Sequence, residues 1–269
     1  MDFGIWAFES NGELKDIGGL FNMKYVYYLV ILFFILGCAS APSRHEKGQA
    51  SEHFYLGDAY LREGKLLAAL KELTLAKKLD SKNPDIRHEL GLAYMALGNY
   101  IEAEKELEKA ISLRPSYSEA YNSFGLLYFR QKRWKEAEEY FKKALSNALY
   151  TTPEDAYTNL GFCYFVQERY KQALTAFKGG IQSNKECIPA YLGLGQTQEA
   201  LGQDLEAIKT YTLTVQYAPE NPEVHYRLGN VYIRLGKKDN AIEALSRVTA
   251  LDPIGDWGER AESLLKDLK

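Results

Sequence analysis

Cysteine is scarce in this 269-residue chain, with three copies, Cys38, Cys163 and Cys187. An odd number cannot all pair within one chain, and no two stand in a C-x-x-C or zinc-ligand spacing. Histidine is nearly as scarce: His45, His53, His88 and His225 are scattered, and no H-E-x-x-H, G-x-S-x-G or phosphate-loop motif occurs. These absences remove the enzyme classes that a motif would announce. They leave no metal, cofactor or small-molecule substrate to expect. The formal charge of −3 provides no basic field, so nucleic acid is not an expected partner. What remains is ordinary globular composition, 46% apolar and 26% charged, in a chain long enough to bury a sizeable core.

The dominant feature is repetition. A glycine recurs as Gly57, Gly91, Gly125, Gly161, Gly195 and Gly229, at intervals of 34, 34, 36, 34 and 34. Twelve residues after each stands alanine: Ala69, Ala103, Ala137, Ala173, Ala207 and Ala241. Sixteen after each stands a large apolar residue: Leu73, Leu107, Phe141, Phe177, Tyr211 and Leu245. Three after it stands a tyrosine in five copies, with Gln198 the exception. Pro115, Pro219 and Pro253 punctuate three repeat ends, since proline cannot continue a helix interior. A 34-residue period with these positions is that of the tetratricopeptide repeat (TPR), a helix–turn–helix unit. One such pair cannot bury its apolar face alone, so neighbours stack. The expected fold is all-α: a right-handed TPR superhelix of six repeats over 50–253, with approximate bounds 50–83, 84–117, 118–153, 154–187, 188–221 and 222–255. Residues 254–269 read as a capping helix, with Ala261, Leu264, Leu265 and Leu268 at helical spacing.

Two places depart from the pattern. The 36-residue interval places two extra residues in the connection 146–155, SNALYTTPED, either a docking loop or a tolerated extension. In the second helix of repeat four, Gly180 holds a small-residue position, whereas Gly179 has no packing account and reads as a local soft spot.

Ahead of the repeats, Tyr25 to Leu36 form twelve uncharged, largely apolar residues preceded by Lys24. Twelve is short for a membrane span and suits the core of a signal peptide. Leu36-Gly37-Cys38 resembles a bacterial lipobox. The resemblance implies cleavage after residue 37, a signal peptide over 23–37, and acylation of Cys38 with palmitate-type chains. Several acyl chains anchor firmly, at about 0.8 kcal/mol per buried CH₂. Ala39 and Ser40 follow where an inner-membrane retention aspartate would stand, so outer-membrane sorting is expected. Residues 1–22 carry Asp2, Glu9, Glu13 and Asp16, unlike a positive n-region, so Met23 is the expected start and 1–22 an extension. Residues 38–49 read as a polar tether.

In such folds the inner face is carried by the first helix of each pair, between its packing positions. Residues one and four after each glycine are Asp58 and Leu61, Leu92 and Met95, Leu126 and Phe129, Phe162 and Phe165, Gln196 and Glu199, Asn230 and Ile233. The middle is apolar and aromatic, the ends polar. An apolar stripe on a concave face suits an amphipathic or apolar segment of a protein partner. The alternative is that these side chains cover the superhelix interior. No lysine occupies these positions, which disfavours a carboxylate clamp. His88 reads as a surface or groove polar residue. Cys163 reads as core and Cys187 as a turn residue, and their pairing is left open.

Six TPRs behind a lipobox, with extra residues after the third, resemble the type IV pilus biogenesis lipoproteins PilF and PilW. The likeness is densest over Tyr121 to Cys163, where Asn122, Gly125, Tyr150, Pro153, Asn159, Gly161 and Cys163 match the family's run. Ala148 and Leu149 replace a proline the family often carries there. The resemblance implies a pilotin: a lipid-anchored protein on the outer membrane of a Gram-negative bacterium, facing the periplasm. It would bind a secretin subunit and promote secretin localisation and multimerisation. The candidate partner-binding residues are Leu92, Met95, Leu126, Phe129, Phe162 and Phe165 from the inner-face stripe, with Asn122 and Tyr150 from the run that matches the family. The alternative function is a general envelope scaffold in cell-wall or polysaccharide export assemblies.

Overall fold

The computed structural model describes residues 6–8, 14–16 and 42–268. The candidate signal segment 23–37, Cys38 and most of 1–22 lie outside them. Two short strands, β1 (Trp6–Phe8) and β2 (Leu14–Asp16), pair antiparallel with Ala7 opposite Lys15.

Thirteen helices follow among the described residues. Repeat one is α1 (Arg44–Arg62) and α2 (Leu66–Leu79), and repeat two is α3 (Pro84–Ala96) and α4 (Tyr100–Leu113). Repeat three is α5 (Ser118–Arg130) and α6 (Trp134–Leu145), and repeat four is α7 (Pro153–Phe165) and α8 (Tyr170–Ser183). Repeat five is α9 (Ile188–Ala200) and α10 (Asp204–Tyr217), and repeat six is α11 (Pro222–Arg234) and α12 (Lys238–Leu251). Helix α13 (Asp256–Leu268) closes the array. It packs Ala261, Leu264, Leu265 and Leu268 with Leu245 and Val248.

The start of α1 corrects the tether. The helix begins at Arg44, inside the segment 38–49 that reads as a polar tether. Ser43 and Glu46 form a reciprocal capping box: Glu46 N donates to Ser43 Oγ (3.2 Å) and Ser43 N to Glu46 Oε2 (2.7 Å).

The repeat register rests on close approach. A Cβ built on any of the six glycines would meet the large residue sixteen positions on at under 3.0 Å. Each of those six residues is fully buried, as is each of the six alanines. Gly179 has the same explanation, contrary to the soft-spot reading. A Cβ there would meet the Tyr157 ring at 2.8 Å, so the glycine seats a tyrosine from α7.

The turn between the two helices of every repeat needs a left-handed residue seven positions after the glycine. Four repeats supply glycine: Gly64, Gly98, Gly202 and Gly236. Repeats three and four use Lys132 (φ 60°) and Glu168 (φ 59°). A side chain in that region costs roughly 1 kcal/mol or more. Lys132→Gly is therefore expected to stabilise the protein by about 0.5–1 kcal/mol, after the entropy glycine adds to the unfolded chain. Thermal denaturation checks the sign; a lower Tm would count against it.

Neighbouring repeats are joined by a recurring polar clamp. Tyr128 Oη donates to Glu104 (2.7 Å) with the Arg133 guanidinium over its ring. One repeat later Tyr164 Oη donates to Glu138 (3.0 Å) with Arg169 over its ring. Glu138 also accepts from Arg169 (2.6 Å) and Lys142 (2.7 Å). Burial alone would push its pKa up, but the hydrogen bonds from Arg169, Lys142 and Tyr164 outweigh it and hold the carboxyl at about 2. A depressed folded pKa gives stability that is present above the unfolded value of about 4.5 and fades as pH falls toward 2. Glu138→Gln is expected to cost about 1–2 kcal/mol at neutral pH, discounted for the part of the clamp that water reaches, and to flatten the acid limb. Urea titrations at pH 7, 4 and 3 read both effects.

Candidate functional site

The first helices of the repeats line the inner face, and its chemistry changes along the array. At the ends, polar side chains are committed to one another. Asp58 binds Arg62 (2.6 Å), and Glu199 and Asp204 share Arg234 (2.8 and 2.7 Å). Between repeats three and four the face is apolar and hollow. A cavity of about 210 Å³ is lined by Leu126 and Phe129 of α5, Phe141 of α6, Asn159 and Phe162 of α7, and Val166 at the C-cap of α7.

Each ring in the stripe rests on a ring behind it. Phe129 meets Trp134 edge-on (5.1 Å between centroids), Phe162 meets Phe177 (5.0 Å), and Phe165 meets Tyr170 (5.7 Å). Edge-to-face pairs at these distances fix ring orientation. The side chains thus stand half-buried in defined positions, with their outer edges open. Asn159 Nδ2 donates to Asn122 Oδ1 (3.0 Å), crossing from α7 to α5 at the cavity's margin. An amide pair beside an apolar floor can exchange hydrogen bonds with a partner's backbone while the rings take its side chains.

The structure brings Asn122, Leu126, Phe129, Phe162 and Phe165 together on one surface. Leu92 is half-buried and packs beside them, whereas Met95 is buried in the same core cluster and offers little surface. Tyr150 is placed differently from expectation. It is buried against Ala144 and Ala156, and its hydroxyl is pushed up to about 12, chiefly by that burial. The connection that carries the two extra residues thus turns this ring inward. The large apolar side chain that the loop exposes is Leu149, at 86%. Asn159, Phe141 and Val166 were not singled out as site residues in the sequence. Asn159 and Val166 sit two before and five after the glycine, outside the two positions read for the face. Phe141 reaches the cavity from the second helix.

His88 is buried, not a surface group. Its Nε2 lies 2.8 Å from Ser123 Oγ, and its ring packs on Tyr117 (5.2 Å), linking repeats two and three. Cys163 and Cys187 are both free and buried. Cys163 Sγ faces the Trp134 carbonyl (3.4 Å) and Cys187 Sγ faces Thr158 Oγ1 (3.5 Å). Burial pushes the Cys163 thiol up to about 11, the opposite of what a nucleophile requires. Among the described residues no group of His, Cys, Asp and Glu is arranged to hold a metal ion.

These features define a scaffold with the tetratricopeptide-repeat fold. Family models for the tetratricopeptide repeat match residues 83–149 and 222–254, and a TPR repeat model matches 57–98. The fold is similar to that of PilF of Pseudomonas aeruginosa, with a TM-score of 0.69 and 19% identity over 82% of this chain and all of that one. It is also similar to PilW, described as a widely conserved type IV pilus biogenesis factor (TM-score 0.71, 23% identity, 79% of this chain and 98% of that one). YrrB, a TPR protein with an unusual peptide-binding site, aligns over 71% of this chain and 97% of its own, with a TM-score of 0.54 and 21% identity. At these identities the likeness is one of fold. Among curated proteins, the CTR9 homolog of Arabidopsis thaliana is 34% identical over 68 residues, 25% of this chain, and the match spans 6% of that protein's length. No catalytic family is indicated by these comparisons.

Proposed function

We infer that the protein is an outer-membrane lipoprotein, anchored through acylated Cys38, that holds a secretin subunit on the inner face of its repeats. In doing so it promotes secretin localisation and multimerisation for type IV pilus biogenesis. The observation that carries the reading is the open aromatic floor at Phe129 and Phe162, framed by the Asn122–Asn159 pair, in a six-repeat array with the fold of PilF and PilW. The lipobox-like Leu36-Gly37-Cys38 supplies the membrane address. A subunit in transit exposes apolar segments that later become ring interface, and half-buried rings can cover such segments reversibly.

The test is deletion in the native host, with secretin followed by gel after heating in detergent. Loss of the heat-resistant multimer is expected, restored by the wild-type gene. Unchanged multimers refute the secretin role. A Cys38→Ser protein is expected in the soluble envelope fraction rather than the outer membrane, and unchanged membrane association refutes the anchor. If the multimers persist while the protein co-purifies with an export or cell-wall assembly, the general scaffold reading replaces this one.

A further inference from the structure

The convex side of the array carries a second hollow, distinct from the inner face. Four positions before the helix glycine, repeats three, four and five have a tyrosine: Tyr121, Tyr157 and Tyr191. Each ring fills space against the second helix of its own repeat. Tyr121 lies beside Tyr140 (6.2 Å), Tyr157 covers Gly179, and Tyr191 stacks on Tyr217 (5.7 Å, 27°). Repeat six has His225 at this position. The smaller ring is drawn back toward the connection, with Nε2 2.9 Å from the Pro219 carbonyl oxygen. The position of Tyr140, fifteen after the glycine, is Ala244 in repeat six. Both rings that occupy the cleft of repeat three are thus replaced by something smaller.

The result is a cavity of about 640 Å³, within the range of ligand pockets. Its walls include Val215 of α10, Leu228 and Tyr232 of α11, and Ala244 of α12. Asn240, Glu243 and Arg247 stand at its polar margin. Arg247 is paired with Glu220 (3.1 Å), so this cation is already matched and the interior asks for a neutral group. Pro219 is also a wall of an adjoining open hollow of about 690 Å³, bounded by Tyr217, Asn221 and Trp257. The two together form a trough in which a main chain can run while one side chain drops into the cavity.

We propose that this cavity takes an aromatic side chain presented by a partner polypeptide, a ring in trans where the other repeats carry one in cis. The site is separate from the inner face, and its test does not depend on the secretin reading. The full-length protein, with methyl groups of alanine and valine labelled for NMR, is titrated with N-acetyl-tyrosinamide, p-cresol and N-acetyl-leucinamide. Saturable shifts are expected at Val215, Ala244 and Ala250 with the tyrosine amide, with a Kd in the millimolar range for a single ring. The leucine amide is expected to bind at least about fivefold more weakly. His225→Tyr should abolish the shifts while leaving Tm unchanged or higher, and Ala244→Tyr, which restores the ring of repeat three, should do the same.

Four results would overturn the proposal: no saturable shift, an equal response to the leucine amide, wild-type binding by both variants, or unfolding of both, which would show that a ring does not fit the space. Binding of p-cresol without the amide would also overturn it, by assigning the cavity to a small aromatic molecule.

Discussion

Phe129→Glu and Phe162→Glu are each expected to weaken capture of the proposed secretin partner by at least about 100-fold. The reasoning is one of geometry and desolvation. Both rings line the 210 Å³ cavity, each held in orientation by a second ring behind it. Central, pre-oriented aromatics carry most of an interface's energy, at roughly 2 kcal/mol or more apiece. A carboxylate in their place must also be desolvated by the apolar segment that covers it, with no cation lining the cavity to receive it. Two kcal/mol from the lost ring together with the desolvation penalty exceeds the roughly 2.8 kcal/mol that a 100-fold change requires. The rings are half-buried, so the fold should survive at a cost of about 1–2 kcal/mol, and thermal melts establish that separately. Phe129→Leu and Phe162→Leu serve as controls and should lose about tenfold or less. Binding of the purified secretin fragment by calorimetry reads the outcome. Retention of wild-type affinity by both glutamate variants would place the partner elsewhere on the protein.

Gly193→Ala is expected to destabilise the array by about 1–2 kcal/mol, although helix propensity alone argues the reverse. Alanine in a helix interior is worth nearly 1 kcal/mol over glycine. Here the added Cβ would fall onto the Phe177 ring. That ring cannot retreat, because on its other side it lies against Gly161, where a Cβ would meet it at 2.6 Å. Phe177 is fully buried and fills the gap between α7 and α9 with no slack. Overpacking of this kind costs about 1–3 kcal/mol and more where nothing can move, enough to outweigh the propensity gain. For an array of this size the expected fall in Tm is roughly 2–8 °C. Adding Phe177→Leu to Gly193→Ala should recover part of the loss. A Tm at or above wild type for Gly193→Ala alone would show that the ring has room.

The register of glycine, alanine and large apolar residue was legible because each helix pair must solve the same packing problem within its own 34 residues. The inner stripe was legible for a similar reason, since Leu126, Phe129, Phe162 and Phe165 follow at fixed offsets from the glycine. What sequence did not reveal depends on neighbours. Gly193 is silent by itself, and its meaning comes from Phe177 of the preceding repeat. Tyr150 reads as a loop aromatic until the insertion is seen to turn it inward under Ala144 and Ala156. The left-handed turns at Lys132 and Glu168 were readable in principle, being the two repeats without glycine seven positions on. The box of Ser43 and Glu46 was also in plain view as a spacing, and polarity obscured it. The convex hollow is harder still, because it is defined by a ring that three other repeats have and the sixth lacks.

The position of Phe177 bears on how the array comes apart. A linear array normally loosens from its ends one unit at a time, each repeat failing when its neighbour contacts fail. Phe177 is the backing of Phe162 on one side and is wedged by Gly193 of the next repeat on another. Fraying that reaches repeat five therefore removes the wedge, and the ring that shapes the partner surface loses its support before repeat four itself unfolds. The grip is tied to the folding state of a repeat that contributes no residue to it, so damage to the distal end is felt first as loss of hold and only later as loss of fold.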